Sequence, residues 1–244
     1  MDHPLAARIT EQLQTVARLR AGRRADPALG ARVQALKAYQ ARRFARSYAD
    51  LLASPRYAAA ARFFLDELYG PQDFAARDTQ FERIVPALVR LFPHEIVETV
   101  DRLGALHALS EALDDGMAQH LPAGPVDPAG YAAAWQACGR APAREQQIAL
   151  TTAIGAALDR YTRNRLLRGT LRLMRGPAQA AGLGALQQFL EAGFDAFGSM
   201  GGAADFLDRI GRNERALAAA LFAAGAPEAA AGGPPPLDQL PPAG

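Results

Sequence analysis

Apolar side chains recur along this chain at intervals of three and four, the spacing that lines one face of an α-helix. Leu5, Ile9, Leu13 and Val16 mark a first helix over residues 2–21, which GRRADP at 22–27 interrupts. Val33, Leu36, Phe44, Tyr48 and Leu51 lie on or near one stripe of a second helix, from about 28 to 53. Ser54 offers a cap and Pro55 suits a first helical position, so a third helix is predicted from 55 to about 69, ended by Gly70–Pro71. Phe81, Ile84, Val85, Leu88 and Phe92 mark a fourth over roughly 72–91, with Pro86 inside it predicting a kink or break.

Pro93 opens a fifth helix reaching about 118, and the proline- and glycine-rich HLPAGPVDPAG at 120–130 reads as a loop. A short helix carrying Tyr131 and Trp135 follows. The longest candidate runs from Pro142 to Arg175, and residues 183–198 and 203–223 form a closing pair separated by SMGG. No stretch alternates strictly between apolar and polar residues, and β-branched residues are few. The fold class is therefore all-α: a single compact bundle of about eight or nine helices over 1–225, followed by a disordered Pro/Gly/Ala-rich C-terminal tail at 226–244.

Composition supports that picture. Half of the 244 residues are hydrophobic but only 7% are aromatic, and alanine supplies much of the difference. Alanine favours helices that pack closely while burying little area per residue. The net charge of +2 is small but segregated: 1–48 is basic, 95–127 acidic and 140–175 basic again. Such blocks suit helices that pair with one another, whereas a nucleic-acid binder usually carries a large positive excess. All basic residues but Lys37 are arginine. The single cysteine, Cys138, rules out an intramolecular disulfide and fits a reducing compartment. The opening MDHPLAARITEQLQ has no apolar core of a secretory signal, and no apolar run of eighteen residues exists, so the reading is cytoplasmic with no membrane span.

Candidate chemistry is confined to three places. In ARFFLDELYG (61–70), Tyr57, Ala61, Phe64 and Leu68 form the buried stripe. Asp66 faces water opposite, one turn from Arg62, while Glu67 sits beside Phe63 at the border of the core. Glu67 either pairs with an arginine of a neighbouring helix or works as a functional carboxylate. In HALSEALDD (107–115), His107 shares the face of Val100 and Leu103, and Glu111 and Asp114 continue it at i+4 and i+7. A histidine and a carboxylate one turn apart can share a metal or orient an imidazole. The alternative is a hydrogen-bonded histidine at a helix border. Helical di-metal sites use paired E-x-x-H motifs, and none occurs here. His94 and Glu98 read as surface residues.

The third place is RYTRNRLLRGTLRLMRGP (160–177), where Arg165, Arg168 and Arg172 follow one another along a helix face that Arg175 extends. That face suits phosphate, nucleic acid or an anionic membrane, or an acidic partner helix such as 95–115. P-loop, dinucleotide-binding, nucleophile-elbow and C-x-x-C motifs are missing. Cys138, among alanines, reads as a small core residue.

The run Phe63-Phe64-Leu65-Asp66-Glu67-Leu68-Tyr69, followed by Gly70-Pro71, resembles the FFLEELY-motif proteins of proteobacteria, with Asp66 where that family usually has glutamate. DFAARDTQFERIVPALVRLFP (73–93) fits the same pattern, and the resemblance extends over most of 30–225. It implies a bacterial protein and supplies no catalytic residues.

Together these features point to a non-enzymatic interaction or scaffold module working through Arg165, Arg168 and Arg172, its partner another protein or a second copy of the chain. The alternative is a small-ligand- or metal-binding bundle, either a binding protein or an enzyme, in which Glu67, His107 and Glu111 converge on one pocket. Nucleic-acid or anionic-lipid binding through the basic helix is third. No cofactor or resident metal is implied.

Overall fold

The computed structural model describes residues 4–67, 75–223, 225–230 and 232–243. The end of the FFLDELY run and its glycine–proline stop, from Leu68 to Pro71, lie outside the described residues. Every regular element among the described residues is helical.

The first described helices are α1 (Pro4–Ala25), which ends four residues later than the pattern predicts, and α2 (Pro27–Ser47). The two are divided at Asp26, whose carboxylate accepts the Leu29 amide at 3.0 Å while Pro27 takes the first helical position. Next come α3 (Ala49–Ala53) and α4 (Ala58–Glu67). Ser54 does not cap through its side chain as anticipated. Its carbonyl accepts the Tyr57 and Ala58 amides, so a turn precedes α4. Then α5 (Ala75–Leu91) continues through Pro86 without a break, and α6 (His94–Ala118) follows.

After the predicted loop, Asp127 caps α7 (Pro128–Cys138) by accepting the Gly130 amide at 2.7 Å. The long helix expected over 142–175 is divided into α8 (Ala141–Thr162) and α9 (Arg165–Leu173), and α10 (Arg175–Ala180) begins at its expected end. Asn164 makes the first break, its side-chain oxygen accepting the Leu166 and Leu167 amides at 3.0 and 3.3 Å. Asparagine competes with the helix for backbone donors, and apolar periodicity does not register that competition. The chain then runs through α11 (Gly184–Ser199), α12 (Ala204–Phe222) and α13 (Ala226–Ala230) to a single 3-10 turn at Leu237–Gln239. Short helices and divided long ones carry the count past the eight or nine anticipated.

The predicted disordered tail is a correction. Leu237 and Leu240 are 6% and 5% exposed and, with Ala226 and Ala230, complete a cluster built on Tyr39, Tyr131 and Trp135. Arg46 donates to the Asp238 carbonyl at 3.1 Å. The prolines that suggest disorder also lose little backbone freedom when fixed, so two well-placed leucines are enough to hold the segment down.

A second cluster gathers Phe44, Phe63, Phe64, Phe197 and Phe206, so both phenylalanines of the FFLDELY run are core. A third joins Ile9 and Leu13 to Val85 and Val97. Helices α8 and α12 meet closely at Gly155, where an added Cβ would lie 2.4 Å from a Leu207 methyl.

Charge governs how the layers pair. The basic start of the chain lies along the acidic face of α6: Arg8 bonds Asp101 at 2.7 Å, and Arg23 reaches both Glu111 and Asp115. This is the pairing that the segregated blocks suggest.

Candidate functional site: a charged cavity between the helices

One face of α6 turns inward with His107, Glu111 and Asp114 on it, and all three line a cavity of about 180 Å3. Glu67, from the C-terminal end of α4, lines the same cavity. Glu67, His107 and Glu111, the three residues singled out for a pocket, thus line one cavity. The remaining wall comes from residues that sequence reasoning did not select.

Helix α2 contributes Lys37, Gln40 and Arg43, at the i, i+3, i+6 spacing that keeps side chains on one face. Lys37 Nζ donates to Glu111 Oε1 at 2.6 Å, and Arg23 donates to the other oxygen. Glu111 is only 4% exposed. Burial alone would push its carboxyl up, but the Lys37 ammonium and the Arg23 guanidinium overcome that and hold it at about 2. Asp114 behaves oppositely. Burial pushes its carboxyl above the ordinary range against the pull of Lys37, and it accepts the Gln40 amide at 3.1 Å.

A second network joins Glu67 to His107. Arg77 Nη1 donates to Glu67 Oε2 at 2.9 Å, and Arg77 Nε lies 4.0 Å from Asp78 Oδ1. His107 Nε2 is 2.9 Å from Asp78 Oδ2, which also receives Arg20 at 2.8 Å. Burial would raise the Asp78 carboxyl, yet His107 and Arg20 bring it below its usual value. The Arg77 guanidinium sits 4.3 Å from the Phe189 ring centre, and burial lowers its pKa despite Asp78 and Glu67. Glu67 therefore pairs with an arginine of a neighbouring helix, the first of the two alternatives for it, and also lines the cavity.

At the far end, Glu214 of α12 accepts Arg43 and the Tyr48 hydroxyl, the latter at 2.8 Å. Arg144 of α8 is buried, stacks 4.0 Å over the Trp135 ring and donates to Gln147 at 3.2 Å. Trp135 Nε1 is buried on the cavity wall and has no hydrogen-bond partner among the described residues. An indole N–H can only donate.

Chemically, the cavity presents fixed cations and carboxylates already joined to one another. Among the described residues no group of three or more His, Cys, Asp or Glu side chains is arranged to hold a metal ion, so the metal-binding form of the pocket gains no support. The sequence offered weak signals for the missing members: Lys37 is the only lysine and Trp135 the only tryptophan. Asp78, Arg43, Arg144 and Glu214 come from four helices, and nothing in their local spacing announces a shared cavity.

The Arg-rich segment is also placed. Arg165 opens α9, with its side chain outside the described residues. Arg168 bonds Asp195, Arg172 lies 4.0 Å from that carboxylate, and Arg175 bonds Glu191 at 2.6 Å. Their acidic partner is α11, not the 95–115 helix anticipated, because that helix is already engaged by α1 and α2. His94 and Glu98 form an exposed pair at 3.3 Å, and Cys138 is half-buried.

A helical protein enclosing a cavity ringed by buried ion pairs is the class that fold and site define. Residues 19–228 match a family model described as Domain of unknown function (DUF8198), and the chain belongs to that family. Comparison with curated proteins and with solved structures gives no match. Among the described residues no helix is long and apolar enough to cross a membrane.

Proposed function

We propose that this protein binds a small molecule in the cavity faced by α2, α6 and α8. The observation that carries the reading is the convergence of buried Arg43, Arg144, Glu111 and Asp114 on one space of about 180 Å3. A comparable cavity lined only by hydrocarbon accepts benzene. Burying ions costs several kcal/mol each before pairing repays it, and apolar replacements often serve stability equally well. Charges kept around an open space support recognition better than they support folding. The reading is a binding one, with Glu67, His107 and Glu111 on the recognition surface and no catalytic step assigned.

The test is a thermal-shift screen of the full chain against sets of organic acids, amines, sugars, nucleotides and fatty acids. A saturable rise in melting temperature with one class supports the proposal, since a ligand held by the native state alone stabilises it. No shift with any class, together with no retained small molecule in native mass spectra, removes it.

A second reading rests on a different observation. Leu166 and Leu173, seven apart on one face of α9, are 82% and 81% exposed, with Arg172 beside them. That surface supports docking of another protein or a second copy of the chain, with the leucines rather than the arginines as the contact. Light scattering of the purified chain and of a Leu166→Glu/Leu173→Glu variant tests it. A monomer in both cases removes self-association.

A further inference from the structure

The cavity does not end at the charges. A second chamber of about 130 Å3 adjoins it, and Val100, Leu103, Leu106, Thr151, Phe189 and Leu190 line both. Its remaining wall is apolar, with Phe63, Phe64, Ile154, Leu158 and Phe197 on it. Together the chambers reach the roughly 300 Å3 at which small-molecule pockets begin.

Two antiparallel helices set the axis. Gln147 of α8 bonds Ser110 of α6 at 2.8 Å, and Tyr161 lies 2.9 Å from Thr99, so the helices run side by side in opposite directions. Both change character in the same spatial sense. Along α8 the wall passes from Arg144 through Thr151 to Leu158, and along α6 from Asp114 and Glu111 through Leu106 to Val100. At 1.5 Å per residue, Leu158 lies about 20 Å from Arg144. The space is long, charged at one end and hydrocarbon at the other.

The charged end favours an acceptor. Glu67, Asp78, Glu111 and Glu214 each already receive an arginine or lysine, and Asp114 receives an amide. A cationic head would compete with a resident cation at the first four, and only Asp114 receives an amide in place of a cation. Trp135 Nε1, in contrast, is a buried donor without an acceptor, beside the positive Arg144 that stacks on its ring. We infer that the ligand is an amphipathic carboxylic acid, its carboxylate at Trp135 and Arg144 and its hydrocarbon tail in the Phe63–Leu158 chamber. This rests on the ligand-binding reading above and narrows it to one chemical class.

Trp135 is the only tryptophan, so its fluorescence reports on the head position directly. The full chain is titrated with decanoic acid, decanol and decylamine, and with the polar compounds of the screen above, following fluorescence and heat. Decanoic acid is expected to saturate and to bind at least ten-fold tighter than decanol or decylamine, as a charge-assisted hydrogen bond requires. Thr151→Phe, which adds bulk at a residue lining both chambers, should weaken decanoic acid by ten-fold or more without loss of helical circular dichroism. Should that variant fail to fold, Trp135→Phe, followed by calorimetry, keeps an aromatic six-membered ring while removing the N–H together with the pyrrole ring that carries it, and should weaken decanoic acid by about ten-fold. Equal or tighter binding of decanol or decylamine, or decanoic acid unaffected in both variants, overturns the inference. If polar compounds bind and decanoic acid does not, the inference falls and the ligand-binding reading stands. If nothing binds, both fall.

Discussion

Glu111→Gln tests the buried charge network most sharply. The substitution keeps the shape of the side chain and one acceptor oxygen but removes the charge that Lys37 and Arg23 enclose. A carboxyl held at about 2 instead of its ordinary 4.5 stabilises the fold by about 3 kcal/mol at neutral pH. That agrees with the roughly 3–5 kcal/mol lost when one partner of a buried pair is removed. The sign follows from the depressed value. The contribution is complete above pH 4.5 and is lost as pH falls toward 2, when the folded carboxyl takes up its proton. Urea unfolding at pH 7 should show Glu111→Gln less stable by about 3 kcal/mol, with a melting temperature lower by about 10 °C for a chain of this size. The gap between the two proteins should narrow steadily from pH 4.5 downward. Adding Lys37→Met to the variant should recover part of the loss, because the remaining uncompensated cation is then removed. A loss under about 1 kcal/mol, or one independent of pH, would refute the account of this network.

Three further outcomes are expected. Leu237→Ala, which opens a cavity beside Tyr131 and Trp135, should cost about 2–5 kcal/mol in chemical denaturation, whereas a disordered tail would give no change. Gly155→Ala should destabilise by about 1–3 kcal/mol, since its Cβ meets the buried Leu207 at 2.4 Å, and calorimetric unfolding of the pure variant reads this directly. Leu166→Asp and Leu173→Asp should each leave stability within about 0.5 kcal/mol, because those side chains already face solvent.

Much of the architecture was legible in the sequence because apolar period and turn chemistry agree over most of the chain. Asp26–Pro27 and Asp127–Pro128 mark helix starts by rules that read directly from residue order. The errors have local causes. Asn164 ends a helix by a side-chain bond that apolar periodicity cannot detect. Leu237 and Leu240 fold back because of a core they reach only in three dimensions. For the site, His107, Glu111 and Asp114 were legible since one helix carries all three at i, i+4, i+7. The cations opposite them were not, as Lys37, Arg43, Arg77 and Arg144 belong to three other helices. The basic and acidic blocks held that information in coarse form: they indicated that helices of opposite charge would pair, without indicating which would meet α6 or that the meeting would form a cavity.

The central claim is that this cavity exists to hold a small molecule, and a crystal structure of the full chain grown with the compound that most raises its melting temperature tests it most directly. The account predicts continuous density from the Trp135 Nε1 end of the charged chamber, bounded by Arg144 and Asp114. Density for isolated waters alone, with one of them satisfying Trp135 Nε1, would contradict it.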